Sequence, residues 1–150
     1  MGWTIHPVSD DERPALLDLW VQSWSEVYPV IDFNARRPWF SSHIIEWLSE
    51  GGFCYQAREQ PSGRMAGFVM VKPATGHLDQ ICVAIPHKGK GVAAALMGEA
   101  RRLCPEGLHL DVNATNSRAI HFYEKQGFIK TGEGVNPSSG LPLYRYHWQL

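Results

Sequence analysis

Lys88, Gly89, Lys90 and Gly91 stand together between an apolar run and a stretch of good helix formers. Glycines at such a corner let a ligand approach the backbone, because no Cβ stands in the way. The first N–H groups of a helix have no intrahelical acceptor, and the helix dipole favours an anion beside them. Two lysines add positive charge. The chemistry these residues suit is binding of a phosphate or pyrophosphate. They equally suit an ordinary strand-to-helix loop with solvated lysines, and the segment alone does not separate the two. The other chemistry-bearing side chains are dispersed. Cys54, Cys82 and Cys104 lie far apart, as buried free thiols of a reducing compartment do. No Cys/His cluster has zinc spacing, so no metal site is expected.

The elements around that corner follow from pattern. Ile81 to Ile85 is rich in β-branched residues and reads as a strand, ended by Pro86. Val92 to Leu103 reads as a helix, with Leu96, Met97 and Ala100 at helical spacing. Upstream, Trp3 to Val8 is a strand candidate, and Ser9 with Glu12 fits a capping box. The helix that follows carries Leu16, Leu17, Trp20, Val21, Trp24 and Tyr28 at three- and four-residue steps, a stripe read as core packing at Trp20. A second helix before Gly51-Gly52 has Trp39, Phe40, Ile44, Ile45, Trp47 and Leu48 on its apolar side. Strands at Phe53 to Arg58 and Met65 to Val71 flank a turn at Gln60-Pro61-Ser62-Gly63.

Downstream come a strand at Leu108 to Val112, a polar corner, a short helix at Ala119 to Gln126 and a strand at Phe128 to Thr131. A loop spans Gly132 to Gly140. The last strand, Leu143 to Leu150, puts Tyr144, Tyr146 and Trp148 on one face. The order is β-α-α-β-β-β-α-β-α-β-β, a mixed α+β class with one parallel crossover around the glycine turn. The 150 residues fit a single domain, residues 1–150. The net charge of −1 gives no broad nucleic-acid surface. No apolar run reaches membrane-spanning length and the N-terminus lacks a secretory pattern, so a cytoplasmic protein is expected.

Two segments together resemble the GNAT superfamily of acyl-CoA-dependent N-acyltransferases. Lys88-Gly89-Lys90-Gly91-Val92-Ala93 is similar to the family's Arg/Gln-x-x-Gly-x-Gly/Ala signature, with Lys88 in place of Arg or Gln. Asn116 to Phe128 resembles its Asn-x-x-Ala-x-x-x-Tyr-x-x-x-Gly-Phe pattern at every fixed position. The resemblance implies a central, mostly antiparallel sheet of about seven strands with a splayed parallel pair, flanked by about four helices. It implies acetyl-CoA as donor. The pyrophosphate would rest on Lys88, Gly89, Lys90, Gly91, Val92 and Ala93, and the pantetheine arm would pair with the strand edge at Ile81, Cys82 and Val83. The Val83 N–H would stabilise the oxyanion, and Asn116 would hold the arm. Tyr123 would be the acid for the departing thiolate. Asp79, placed by alternation on one face with Ile81 and Val83, is the candidate base, with a water chain or His77, His109 or His121 as alternatives. Cys82 would point away from the face of Asp79.

The expected activity is direct transfer of an acetyl group from acetyl-CoA to a primary amine, either of a small molecule or of a peptide. Trp24, Glu26, Tyr28, Trp39 and the Gly132 to Gly140 loop are candidates for the acceptor pocket, and the aromatic last strand for a homodimer contact. A catalytically inactive acyl-CoA-binding or interaction domain is the alternative. A nicotinamide dinucleotide site is a third reading, since Gly89 to Ala94 satisfies G-x-G-x-x-A and Asp111 follows about 20 residues later. Against it stand the Pro86-His87-Lys88 insertion, the order of the upstream elements and the short remaining chain.

Overall fold

The structure is a computed structural model that describes residues 2–149. The chain opens with β1 (Thr4–Pro7) and a 3-10 turn at Asp10–Glu12 that leads into α1 (Arg13–Val27). The Glu12 carboxylate accepts from the Ser9 N–H, which is one half of the capping box, and also from the Ser9 hydroxyl. A second 3-10 turn at Asn34–Arg36 precedes α2 (Arg37–Ser49). Then come β2 (Phe53–Arg58), β3 (Met65–Lys72), β4 (His77–Val83), α3 (Val92–Leu103), β5 (Leu108–Asn113), α4 (Ser117–Lys125), β6 (Ile129–Val135) and β7 (Pro142–Trp148).

The seven strands form one sheet in the order β1-β2-β3-β4-β5-β7-β6. Every neighbouring pair is antiparallel except β4 and β5. This is the mixed, mostly antiparallel sheet expected, and it is not the doubly wound parallel sheet of a dinucleotide fold. The parallel pair meets at His77 and His109 only, and the strands diverge beyond that point.

Helices α3 and α4 cover one face of the sheet, where Val92, Leu96, Met97, Ala100 and Tyr123 pack on Val69, Val71, Leu78, Leu110 and Tyr146. Gly67 permits this contact. A Cβ there would lie 2.6 Å from the Cys82 carbonyl oxygen and 2.9 Å from Val92 Cγ1. Helices α1 and α2 cover the other face through Leu16, Trp20, Phe40, Ile44 and Trp47, packed on Phe68, Met70 and Cys82. Trp20 is a core residue, stacked on Phe40 at 4.3 Å. The three cysteines are free and buried.

Several expectations shift. The strand expected at Ile81 to Ile85 runs instead from His77 to Val83, and Ile85–His87 forms a 3-10 turn that Pro86, with its fixed φ, suits. Strand β6 extends through Gly132 and Gly134 to Val135, because pairing with β7 overrides the low strand propensity of glycine. A Cβ on Gly134 would meet the Leu143 and Arg145 side chains at 3.3 and 3.4 Å. On α2, Trp39, Ile45 and Leu48 turn toward solvent. Tyr146 is buried in the α3–α4 core, and Tyr144 and Trp148, on the same face, pack partly against it. The expected end of the last strand at Leu150 lies outside the described residues.

Candidate active site

The divergence of β4 and β5 opens a cleft of about 1120 Å³ through the sheet. One wall is β4 at Ile81, Cys82 and Val83. A second is the turn from Lys88 into α3, a third is the β5–α4 corner and α4 itself, and α1 crosses one side with Trp24, Glu26 and Tyr28. Of the residues expected to hold the cofactor, Ile81, Cys82, Val83, Lys88, Gly89, Gly91, Val92, Ala93, Asn116 and Tyr123 all line this space. Lys90 does not; its carbonyl accepts from Trp3 Nε1 at 3.2 Å on the outer side of the turn.

The edge of β4 is aimed into the cleft by alternation. Ala84 N–H donates to the Ala66 carbonyl of β3 at 2.8 Å. Successive amides of a strand point to opposite edges, so the N–H of Val83 and that of Ile81 face away from β3. On that side β5 has already diverged, and among the described residues neither group has a strand partner.

The glycine turn fits a diphosphate. Gly89 and Gly91 have φ of +78° and +86°, and a Cβ on either would enter open space. Among the described residues the N–H groups of Val92, Ala93 and Ala94 have no acceptor, as the first turn of a helix leaves them. The charges agree. Lys88, Arg118 and Lys125 line the cleft against one carboxylate, Glu26. Glu26 pairs with Lys88 across the mouth. The Lys88 ammonium, with Arg118 nearby, holds its carboxyl below the usual carboxylate range. The Tyr28 hydroxyl meets Thr115 Oγ1 at 3.2 Å, so the last turn of α1 touches both lips.

Tyr123 is buried, and desolvation, with the Cys82 thiol as a smaller contributor, pushes its phenol well above the ordinary range. The phenol therefore keeps its proton, and among the described residues it has no hydrogen-bond partner. Burial also pushes the Cys82 thiol up, to about 12, which leaves it no thiolate character. Asn116 caps α4 by accepting from the Ala119 N–H at 3.3 Å, and its amide NH₂ is left for a ligand.

Asp79 departs from expectation. Strand β4 bulges there: Met70 pairs with Gln80 and Val71 with Leu78, so Asp79 is the extra residue. The bulge breaks the alternation. Ile81 and Val83 face the α3 side, while Asp79 turns to the opposite face and meets His43 Nε2 of α2 at 2.8 Å. Cys82 lies on that same face as Asp79 and does not point away from it. Neither Asp79 nor His43 lines the cleft, and neither does Trp39, which stacks on His43, nor any residue from Gly132 to Gly140. His77 and His109 stack on each other at 5.1 Å where the parallel strands meet, also outside it, whereas His121 lines it.

Sequence reasoning missed Arg118, Phe122 and Lys125 on α4 as wall residues, though steps of three and four from Arg118 mark a single helix face. Gln80 was missed as well. Its Oε1 accepts from Trp24 Nε1 at 3.3 Å and closes the α1 side of the cleft beside Cys82.

The model of the Acetyltransferase (GNAT) family matches residues 13–128. The chain is 28% identical to the peptidyl-lysine N-acetyltransferase YjaB of Salmonella typhimurium, over 88% of this chain and 87% of that protein. It is 27% identical to the peptidyl-lysine N-acetyltransferase YiaC of Escherichia coli, over 97% of each. Among solved structures, the PaiA N-acetyltransferase of Thermoplasma acidophilum in complex with coenzyme A is similar across the whole of both chains, with a TM-score of 0.80 at 17% identity.

Proposed function

The chain belongs to the GNAT acetyltransferase family, and on that premise we propose that it moves the acetyl group of acetyl-CoA directly onto the ε-amine of a lysine in a polypeptide. The observation that carries the proposal is the divergence of β4 from β5. It leaves the N–H groups of Ile81 and Val83 on a free edge within the same cleft that ends at the glycine turn. The lysine acceptor is supported by relatives named for that activity, YjaB and YiaC.

In this reading the diphosphate takes the amides at the start of α3 with Lys88, and the pantetheine arm runs along β4 beside the amide of Asn116. The Val83 N–H donates to the thioester oxygen as negative charge develops there. Holding thioester and amine in one cleft supplies the orientation. The C–N bond forms, the C–S bond breaks, and the leaving sulfur takes a hydrogen bond and then the proton from the Tyr123 hydroxyl. The high pKa of that buried phenol keeps the proton on its oxygen and makes it a reluctant proton donor, so its effect on rate is modest. Cys82 stays a neutral thiol, which argues for transfer without an acyl-enzyme. The amine's proton leaves through water, since Asp79 is engaged by His43 outside the cleft.

The test is incubation with acetyl-CoA and a set of acceptors, with the product located by mass spectrometry. The set holds a peptide with lysine and a blocked N-terminus, a peptide with a free N-terminus and no lysine, and small polyamines. Acetylation of the lysine peptide alone is expected. Modification of only the N-terminus or of only the small amines would refute the acceptor. A covalent acetyl group on the protein in the absence of acceptor would refute direct transfer.

A further inference from the structure

The carbonyl carbon of a thioester is trigonal, so its oxygen, its sulfur and its acyl chain leave in three different directions. In the reading above two of these are taken. The oxygen meets the Val83 N–H at the free edge of β4. The sulfur meets the hydroxyl of Tyr123, whose side chain packs with those of Ile81 and Val83 on the α3–α4 face of the sheet. The third direction leads to the opposite face, where Cys82 packs with Trp24 and Tyr28 of α1. Cys82, Trp24 and Tyr28 all line the cleft.

The wall in that direction is the Trp24 indole, and it is fixed. Its Nε1 donates to Gln80 Oε1 at 3.3 Å. Tyr28 stacks on it with 5.9 Å between ring centroids and 8° between planes, and the buried Phe33 ring lies 6.0 Å away. The Tyr28 hydroxyl meets Thr115 Oγ1 at 3.2 Å, which ties this end of α1 to the β5–α4 corner. Gln80 Oε1 also accepts from the Cys82 thiol at 3.8 Å, so one amide oxygen joins α1 to β4 behind the cleft. Swinging the indole aside would break the stack and leave its N–H without a partner. Resting on the acetyl-CoA reading above, we propose that Trp24, held by Gln80, sets the length of the acyl chain, admitting acetyl and turning away butyryl and longer chains. This places Trp24 against the donor's acyl group rather than in the acceptor pocket. The transfer is unchanged: the C–N bond forms, the C–S bond breaks, the sulfur takes the Tyr123 proton, and the amine's proton leaves through water, which restores the phenol.

The experiment gives the full chain acetyl-, propionyl-, butyryl- and hexanoyl-CoA with the blocked lysine peptide, and measures binding of the same four thioesters by calorimetry without acceptor. It is repeated with Trp24→Ala and with Gln80→Met, which keeps the indole and removes its hydrogen-bond acceptor. Melting temperatures verify that each variant folds. In the wild-type protein each methylene added against a fixed wall should lower kcat/KM roughly 10-fold, so butyryl-CoA is used roughly 100-fold less well than acetyl-CoA. Hexanoyl-CoA should bind roughly 10-fold more weakly than acetyl-CoA or worse. In Trp24→Ala the longer chains are used at least as well as acetyl, and hexanoyl-CoA binds tighter than acetyl-CoA, by about fourfold for each methylene the vacated space buries. Gln80→Met relaxes the preference in part, and it decides the matter if Trp24→Ala does not fold. A wild-type protein that binds and uses hexanoyl-CoA as well as acetyl-CoA overturns the proposal. So does a folded Trp24→Ala protein that still rejects the longer chains. The binding arm needs no acceptor, so a wrong acceptor leaves the test intact. A wild-type protein that binds none of the thioesters overturns the acetyl-CoA reading itself, and this inference with it.

Discussion

Replacing Glu26 by glutamine should tighten the binding of coenzyme A. Lys88, the side chain at the glycine-turn end of the cleft, is held by Glu26 from the last turn of α1. A diphosphate that takes Lys88 must displace this carboxylate. The side chains of Lys88 and Glu26 are 17% and 41% exposed, so the pair is screened by water and is worth no more than a surface ion pair, about 0.2–1 kcal/mol. Removing it should lower the dissociation constant by roughly 1.4- to 5-fold at 25 °C. The assay is titration calorimetry of wild type and Glu26→Gln at low and high salt. The difference should shrink at high salt, where the Debye length falls to a few ångströms. It should also shrink in acid. Glu26 has a depressed pKa in the folded protein, so it stays charged at neutral pH and releases Lys88 only as pH falls below the ordinary carboxylate range. S-acetyl-pantetheine, which has no diphosphate, should bind both proteins alike. Equal affinity for coenzyme A in the two proteins at low salt would refute the reasoning, as would an equal gain for the ligand without phosphates.

Tyr123→Phe should lower kcat by roughly 10- to 100-fold with little change in coenzyme A affinity, and an unchanged kcat would remove the proton-donor role. Gly91→Ala places a methyl group in the open space of the turn and forces an L-residue to a φ of +86°. It should cost about 1–2 kcal/mol of stability and abolish the rise in melting temperature that acetyl-CoA gives wild type; a retained shift would count against the placement of the diphosphate. Asp79→Asn should leave the pH profile of kcat/KM unaltered, because the carboxylate faces His43; loss of the acidic limb, where activity rises with pH, would make it the base after all. Glu12 titrates at about 2, chiefly because it accepts from the Ser9 N–H. A depressed carboxylate pKa contributes stability above its unfolded value near 4.5 that is lost as pH falls toward 2. Melting temperature should therefore fall over that window, by the equivalent of about 1–2 kcal/mol after screening, and the Glu12→Gln protein should lack that part of the fall.

Much of this was legible along the chain. Strand and helix periods, the capping box at Ser9 and Glu12, and the glycine turn are local features, determined by residues within a few positions of one another. The glycine turn at one end of the cleft was legible for the same reason: backbone amides at a helix start and glycines with positive φ suit an anion wherever the fold places them. Element bounds failed where pairing outweighed propensity, as at Gly132 and Gly134 in β6.

What the sequence could not determine were the relations between residues remote in the chain. Alternation put Asp79 on a face with Ile81 and Val83, and a single inserted residue in the pairing of β4 with β3 reversed it. No local pattern marks that bulge, because it depends on which residues of β3 lie opposite. The same holds for the contact of Glu26 with Lys88, 62 positions away, and for Arg118 and Lys125 of α4, which line the same cleft as the turn. The sequence by itself determined most of the elements, the glycine turn and the family. The tertiary structure alone decided which side chains face one another across the gap between β4 and β5, because a strand's facing depends on its neighbour's register and an ion pair on which elements packing brings together.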